Sequence, residues 1–134
     1  MLLNSSGREF ILNDQDQSIG PIIWWLQRDQ RLFDNWTYLA AAEKAKQLDQ
    51  PLVAVFCLSE SFLGGLPRMF EFMLHGLYEL QRELTDYSIP LLILRTDDII
   101  DEASITQLAD LANELKAGAM YTDFNPLRLV MSWK

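Results

Sequence analysis

Along the chain, short unbroken apolar runs alternate with longer stretches in which apolar residues recur every three or four positions. PIIWWL (21–26), PLVAVFCL (51–58) and PLLILRT (90–96) are of the first kind, each opened by a proline. Runs this short and this uniformly apolar suit strands buried on both faces of a parallel sheet. Proline, which has no N–H for the ladder, is compatible with a strand's first residue. AMYT (119–122) is a weaker fourth run.

The stretches between these runs predict helices. From Asn35 to Leu48, Trp36, Leu39 and Ala40 begin an apolar stripe, with Glu43, Lys44 and Lys46 on the opposite face. From Pro67 to Tyr87 the stripe is Phe70, Met73, Leu74, Leu77 and Leu84, with Glu71, Glu79, Arg82 and Glu83 elsewhere. A third helix is expected over Ser104–Ala117, where Ser104 and Gln107 have capping-box spacing and Leu108, Leu111, Ala112 and Leu115 form the stripe. Gly118 is its expected stop.

The order β-α-β-α-β-α-β predicts an α/β domain, a Rossmann-like open parallel sheet with helices on both faces. Residues 1–20 read as a polar lead-in and 21–134 as the domain, without internal repeat or linker. The last segment, NPLRLVMSWK, reads as cut off after the fourth strand. Ligands of open α/β sheets bind beyond the carboxyl ends of the strands, which points to loops 27–35, 58–66, 95–103 and 123–128.

Composition narrows the class. One cysteine and one histidine among 134 residues leave no internal disulfide and no closed zinc site. The expected compartment is reducing and cytoplasmic, since no run approaches the roughly 18 apolar residues of a membrane span and MLLNSSGREFILND lacks the features of a signal peptide. A net charge of −8 opposes a nucleic-acid backbone, so no direct DNA binding is expected of this chain.

Two polar clusters fall in the loops of interest. In RDQRLFDNW (28–36), Arg28 and Arg31 beside a helix start can hold an anion or the polar edge of a ring. Alternatively, Asp34 or Asn35 caps the helix and the arginines pair with nearby acids. In TDFNPLR (122–128), Asp123 stands at the end of a strand and Phe124 can stack on a ring, unless the segment is simply an Asp turn ending at Asn125 and Pro126. The glycine pair in SFLGGLPR (61–68) matches no phosphate-binding motif and reads as a turn. His75 reads as a partly buried structural residue and Cys57 as a small core residue. Asp97, Asp98, Asp101 and Glu102 complement a helix N-terminus, and no metal is expected there.

WLQRDQRLFDNWTYLA (25–40) resembles the opening strand, loop and helix of the class II cyclobutane pyrimidine dimer photolyases, whose pattern is WMxRDQRxxDNWALLxA. PLVAVFCL resembles that family's second strand, and RMFEFMLHGLYELQRELTDYSIPLLIL (68–94) its next helix and third strand. TDFNPLR resembles its TDFSPLR, with Asn125 in place of serine. WWLQ (24–27) stands where the family has a Tyr-Trp-Met-Ser type sequence. Four collinear motifs covering about residues 21–133 make a strong signal.

The resemblance implies the N-terminal α/β domain of an enzyme that repairs pyrimidine dimers in DNA with light. It implies a possible antenna chromophore, a deazaflavin or a folate, on this domain. FAD, the electron-transfer tryptophans and the DNA-binding face would belong to a helical domain absent from this chain. Carried over by position, the chromophore-binding residues are Arg28, Asp29, Asn35, Asp123 and Phe124, with none catalytic and none binding metal. Trp24, Trp25, Trp36 and Trp133 would be core or end-of-chain residues. A chain lacking the FAD domain is expected to be inactive in repair unless a partner supplies that domain. The alternatives are a stand-alone nucleotide or small-ligand module, and an interaction domain that pairs as a homodimer through an open sheet edge.

Overall fold

A computed structural model of the chain describes residues 9, 12, 18–27, 29–59, 67–96 and 102–123. Four strands, β1 (Ile22–Leu26), β2 (Leu52–Ser59), β3 (Leu91–Thr96) and β4 (Ala119–Thr122), alternate with three helices, α1 (Trp36–Leu48), α2 (Pro67–Asp86) and α3 (Glu102–Glu114). The strands form one parallel sheet in the order β3-β2-β1-β4. The predicted α/β order and the Rossmann-like sheet are therefore both present.

Strand alternation divides the apolar runs between two cores. Ile22, Trp24 and Leu26 of β1 and Leu52, Ala54, Phe56 and Leu58 of β2 pack with Ala41 and Ala45 of α1 and Leu77, Leu80 and Leu84 of α2. Ile23, Trp25, Val53 and Val55 point the other way and pack with Leu108 of α3. Both faces of β1 are thus covered, which is why its five residues are all apolar and all buried. Trp24 also meets Tyr38 of α1 at a ring-centroid distance of 5.2 Å, tilted by 51°.

The α1 stripe differs from expectation. Ala41 and Ala45 face the sheet, with Tyr38 and Ala42 packed beside them, while Trp36 is 51% exposed and Leu39 is also exposed. Small side chains let this helix lie close to β1 and β4, with Trp36 and Leu39 left outside. Trp36 is therefore not a core tryptophan, whereas Trp24 and Trp25 are. His75, expected to be partly buried, is exposed on α2. It lies off the buried line of Leu77, Leu80 and Leu84.

Helix ends also depart from the sequence reading. α3 begins at Glu102, so Ser104 lies inside the helix and not at its cap. All three helices stop on a non-glycine residue in the left-handed region: Asp49 (φ 51°), Ser88 (φ 58°) and Lys116 (φ 50°). In each case the next N–H reaches back five residues to close the last turn: Gln50 to the Ala45 carbonyl, Ile89 to Leu84 and Ala117 to Ala112. Gly118, the expected stop, lies two residues further on. A Cβ there would come within 2.8 Å of the Ser18 carbonyl and 2.9 Å of the Gly20 carbonyl, so glycine is needed for close approach. The glycine pair of 61–68, the acids Asp97, Asp98 and Asp101, Trp133 and the segment NPLRLVMSWK lie outside the described residues.

Candidate functional site

β1 has β2 on one side and β4 on the other. The chain after β1 turns towards β2, and the chain after β3 crosses back to β4. The carboxyl ends of β1 and β4 therefore flank the point where strand order reverses, where open α/β sheets leave a crevice for ligands. This singles out the loop after β1 and the exit of β4 from the four loops under consideration.

The two segments are joined directly. The backbone N–H of Asp29 donates to Asp123 Oδ2 at 3.0 Å, across 94 positions in sequence. Asn35 then holds the rest of the loop. Its Nδ2 donates to the carbonyls of Asp29 (3.1 Å) and Arg31 (2.9 Å), and its Oδ1 accepts from the Tyr38 N–H at 3.1 Å. The last of these is the N-cap of α1. At 2% exposure, Asn35 is the buried polar residue that fastens loop to helix. Arg31 Nη2 donates to the Asp34 backbone carbonyl at 3.2 Å, a neighbour other than the acid side chains expected for it. Gln30 Nε2 donates to the Gln27 carbonyl at 3.1 Å.

Of the five residues carried over by resemblance, the structure thus brings Asp29, Asn35 and Asp123 into one bonded cluster, while Arg28 and Phe124 lie outside the described residues. Two further residues belong to this place. Both polar atoms of the Gln27 carboxamide and the Thr122 hydroxyl are buried without a hydrogen-bond partner. Gln27 follows the last residue of β1 and stands two positions past Trp25, the register partner of Thr122. A polar side chain directly after an apolar strand is the signal in the sequence that marks Gln27, and the charged residues that follow mask it.

The titratable groups nearby are tuned by burial. Burial raises the Tyr121 phenol, with Glu9 and Glu43 adding to the effect. Burial also pushes the Cys57 thiol up to about 11, against a smaller opposing hydrogen bond from Trp25. Both groups stay protonated at neutral pH, and neither supplies a nucleophile.

Residues 22–134 match the model of the DNA photolyase family. The chain belongs to the DNA photolyase family. It is 34% identical over 119 residues to a deoxyribodipyrimidine photo-lyase of Arabidopsis thaliana, covering 89% of this chain. It is 36% identical over 124 residues to that of Potorous tridactylus and 32% over 113 residues to that of Oryza sativa subsp. japonica, covering 91% and 83% of this chain. The chain spans only 23%, 21% and 21% of these relatives' lengths. The photolyase match begins at the first residue of β1, so it takes in every strand of the sheet and both loops of the site. Among the described residues, no helix of this photolyase-family domain is long and apolar enough to cross a membrane.

Proposed function

We propose that this chain is the antenna-type α/β domain of a class II cyclobutane pyrimidine dimer photolyase, and that a flat chromophore, a deazaflavin or a folate, sits at the carboxyl ends of β1 and β4. The observation that carries this reading is the trio of buried, unpartnered atoms on Gln27 and Thr122 at the reversal of strand order. Each such atom costs about 1–3 kcal/mol if nothing meets it, and native folds keep few of them. A ligand with polar groups on its edge would meet them. Asp29, Asn35 and Asp123 shape the rim, and the family resemblance gives Arg28 and Phe124 a part in holding the same chromophore.

A chromophore held beside Gln27 and Thr122 would supply absorption of near-ultraviolet or blue light and transfer of the excitation to reduced FAD. FAD is assigned to a separate helical domain, the partner this reading requires. This chain's own part is to bind and orient the chromophore and to keep water from its polar edge. Alone, it is expected to show no repair.

The test is an absorption spectrum of the purified chain, before and after adding deazaflavin, folate and flavin, with melting temperature followed in parallel. A retained band at about 360–450 nm with a raised melting temperature supports the reading, because a ligand that binds only the folded state stabilises it. Stabilisation by ATP alone would replace it with a nucleotide-binding module. Dimer repair by the chain alone under blue light would overturn the division of labour.

A further inference from the structure

Resting on that reading of the site, we infer that the Gln27 carboxamide, assisted by the Thr122 hydroxyl, selects a ligand by a lactam edge: a ring N–H next to a ring carbonyl.

The argument starts from what is left unpaired. The backbone carbonyl of Gln27 is engaged by Gln30, but its side-chain Nε2 and Oε1 are both buried and unmatched. A carboxamide presents one donor and one acceptor side by side in a plane. Its best complement presents an acceptor and a donor at the same spacing, so that two parallel hydrogen bonds form at once. A lactam does this. The Thr122 hydroxyl, which donates or accepts as it rotates, then serves a second ring carbonyl or amino group.

Other chemistries fit less well. A phosphate or carboxylate offers only acceptors, which leaves Oε1 unmet, and it brings negative charge towards the Asp123 carboxylate at the end of β4. An aliphatic group leaves all three atoms unmet. Deazaflavins and pterins share the lactam edge, so Gln27 reads a feature common to both and does not choose between them. Adenine carries the other small-ring edge with adjacent donor and acceptor, and glutamine reads that edge in nucleic acids.

Contrast with Asn35 sharpens the assignment. Both residues are amides in the same loop, yet Asn35 spends both of its ends on the protein's own backbone and Gln27 spends neither. Asn35 builds the fold and Gln27 is kept for something outside it. A residue held at a cost in stability should show that cost when removed.

Two measurements test this. In the ligand-free chain, Gln27→Met, of similar length without the two unmatched polar atoms, should melt a few degrees higher than the parent, and Gln27→Ala should lie between or near it. A fall in melting temperature for Gln27→Met would mean that the carboxamide serves the fold, and would overturn the inference. In binding, the parent chain is titrated with 5-deazariboflavin, its N3-methyl derivative, a pterin and adenosine. N3-methylation removes the ring donor and should weaken binding about tenfold or more, while Gln27→Met should bind the methylated and unmethylated rings about equally. Equal binding of both rings by the parent overturns the lactam edge but leaves the pocket standing. Tighter binding of adenosine than of either lactam ring overturns it in favour of a nucleoside edge. Failure of every ring to bind removes the pocket itself and the inference with it.

Discussion

At the scale of single residues, Asn35 shows how much one side chain decides. It caps α1 and satisfies two loop carbonyls from a nearly inaccessible position. Asn35→Ala should cost about 2–4 kcal/mol in urea unfolding, since a lost cap and two orphaned carbonyls act together. Asn35→Asp keeps the capping oxygen but turns a carboxylate on the Asp29 and Arg31 carbonyls, so it should rescue little at neutral pH. The sequence placed Asn35 and Asp34 as equal candidates for the cap. Only the backbone separates them, because Asp34 takes a left-handed φ of 52° and Asn35 an extended one. Cys57 allows a second prediction with a definite sign. Its thiol is held up at about 11 by burial, against 9.0 in the unfolded chain. Between these values the unfolded chain has lost the proton and the folded chain has kept it, so stability falls as pH rises from about 9 to about 11. Cys57→Val should flatten that part of the profile, and alkylation of the native thiol at pH 8 should run about a hundredfold slower than for a free thiol.

Elements were legible to different degrees, for physical reasons. The four strands lie within a residue of their apolar runs, most plainly β1, which is covered on both faces and tolerates nothing polar, whereas Ile93 of β3 and Met120 of β4 are exposed. The three prolines stand one position before their strands, and all three of their carbonyls accept N–H groups from adjoining segments, Pro21 from Gly118, Pro51 from Ile22 and Pro90 from Ala54. α2 was legible because its buried residues are large leucines, although Leu80 is buried in place of the expected Leu74, which is exposed. α1 was placed correctly but turned the wrong way, since its sheet-facing residues are alanines and hydrophobicity alone ranks Trp36 and Leu39 above them. Helix ends were the least legible, because glycine is the usual left-handed stop, yet before Gly118 that stop is made by Lys116. A side chain with a Cβ in that conformation costs about 1 kcal/mol relative to glycine, so Lys116→Gly should stabilise the chain by roughly 0.5–1 kcal/mol despite the added freedom of its unfolded state. Ser88→Gly, in the same position after α2, should behave alike. Thermal unfolding of the two variants and their combination checks this, and their separation in the fold predicts additivity.

The molecule as a whole depends on a closure that no local pattern contains. The strand order β3-β2-β1-β4 brings the loop after β1 against the exit of β4, and with it Asp29 against Asp123. Sequence periodicity yields strands and helices but not which strand lies beside which, so the polar clusters at 28–36 and 122–128 were legible as two separate candidates and only the reversal between β1 and β4 makes them one site. At the opposite end of the same two strands, the closure is made by close backbone packing. The Gly118 N–H donates to the Pro21 carbonyl at 2.9 Å, and the Ser18 hydroxyl donates to the Ala117 carbonyl at 2.7 Å. A Cβ on Gly118 would press on backbone carbonyls of Ser18 and Gly20, which have no rotamer to escape into. Gly118→Ala should therefore cost about 2 kcal/mol or more and should act on β4 first, because β4 pairs with β1 alone among the described strands. Hydrogen exchange distinguishes this from general loosening: amides of β4 should lose protection in Gly118→Ala while those between β1 and β2 keep theirs. On the proposed reading, affinity for added chromophore should fall with β4, since Thr122 and Asp123 hang from its far end. Uniform loss of protection across the sheet would instead mean that β4 is no separable part of the fold.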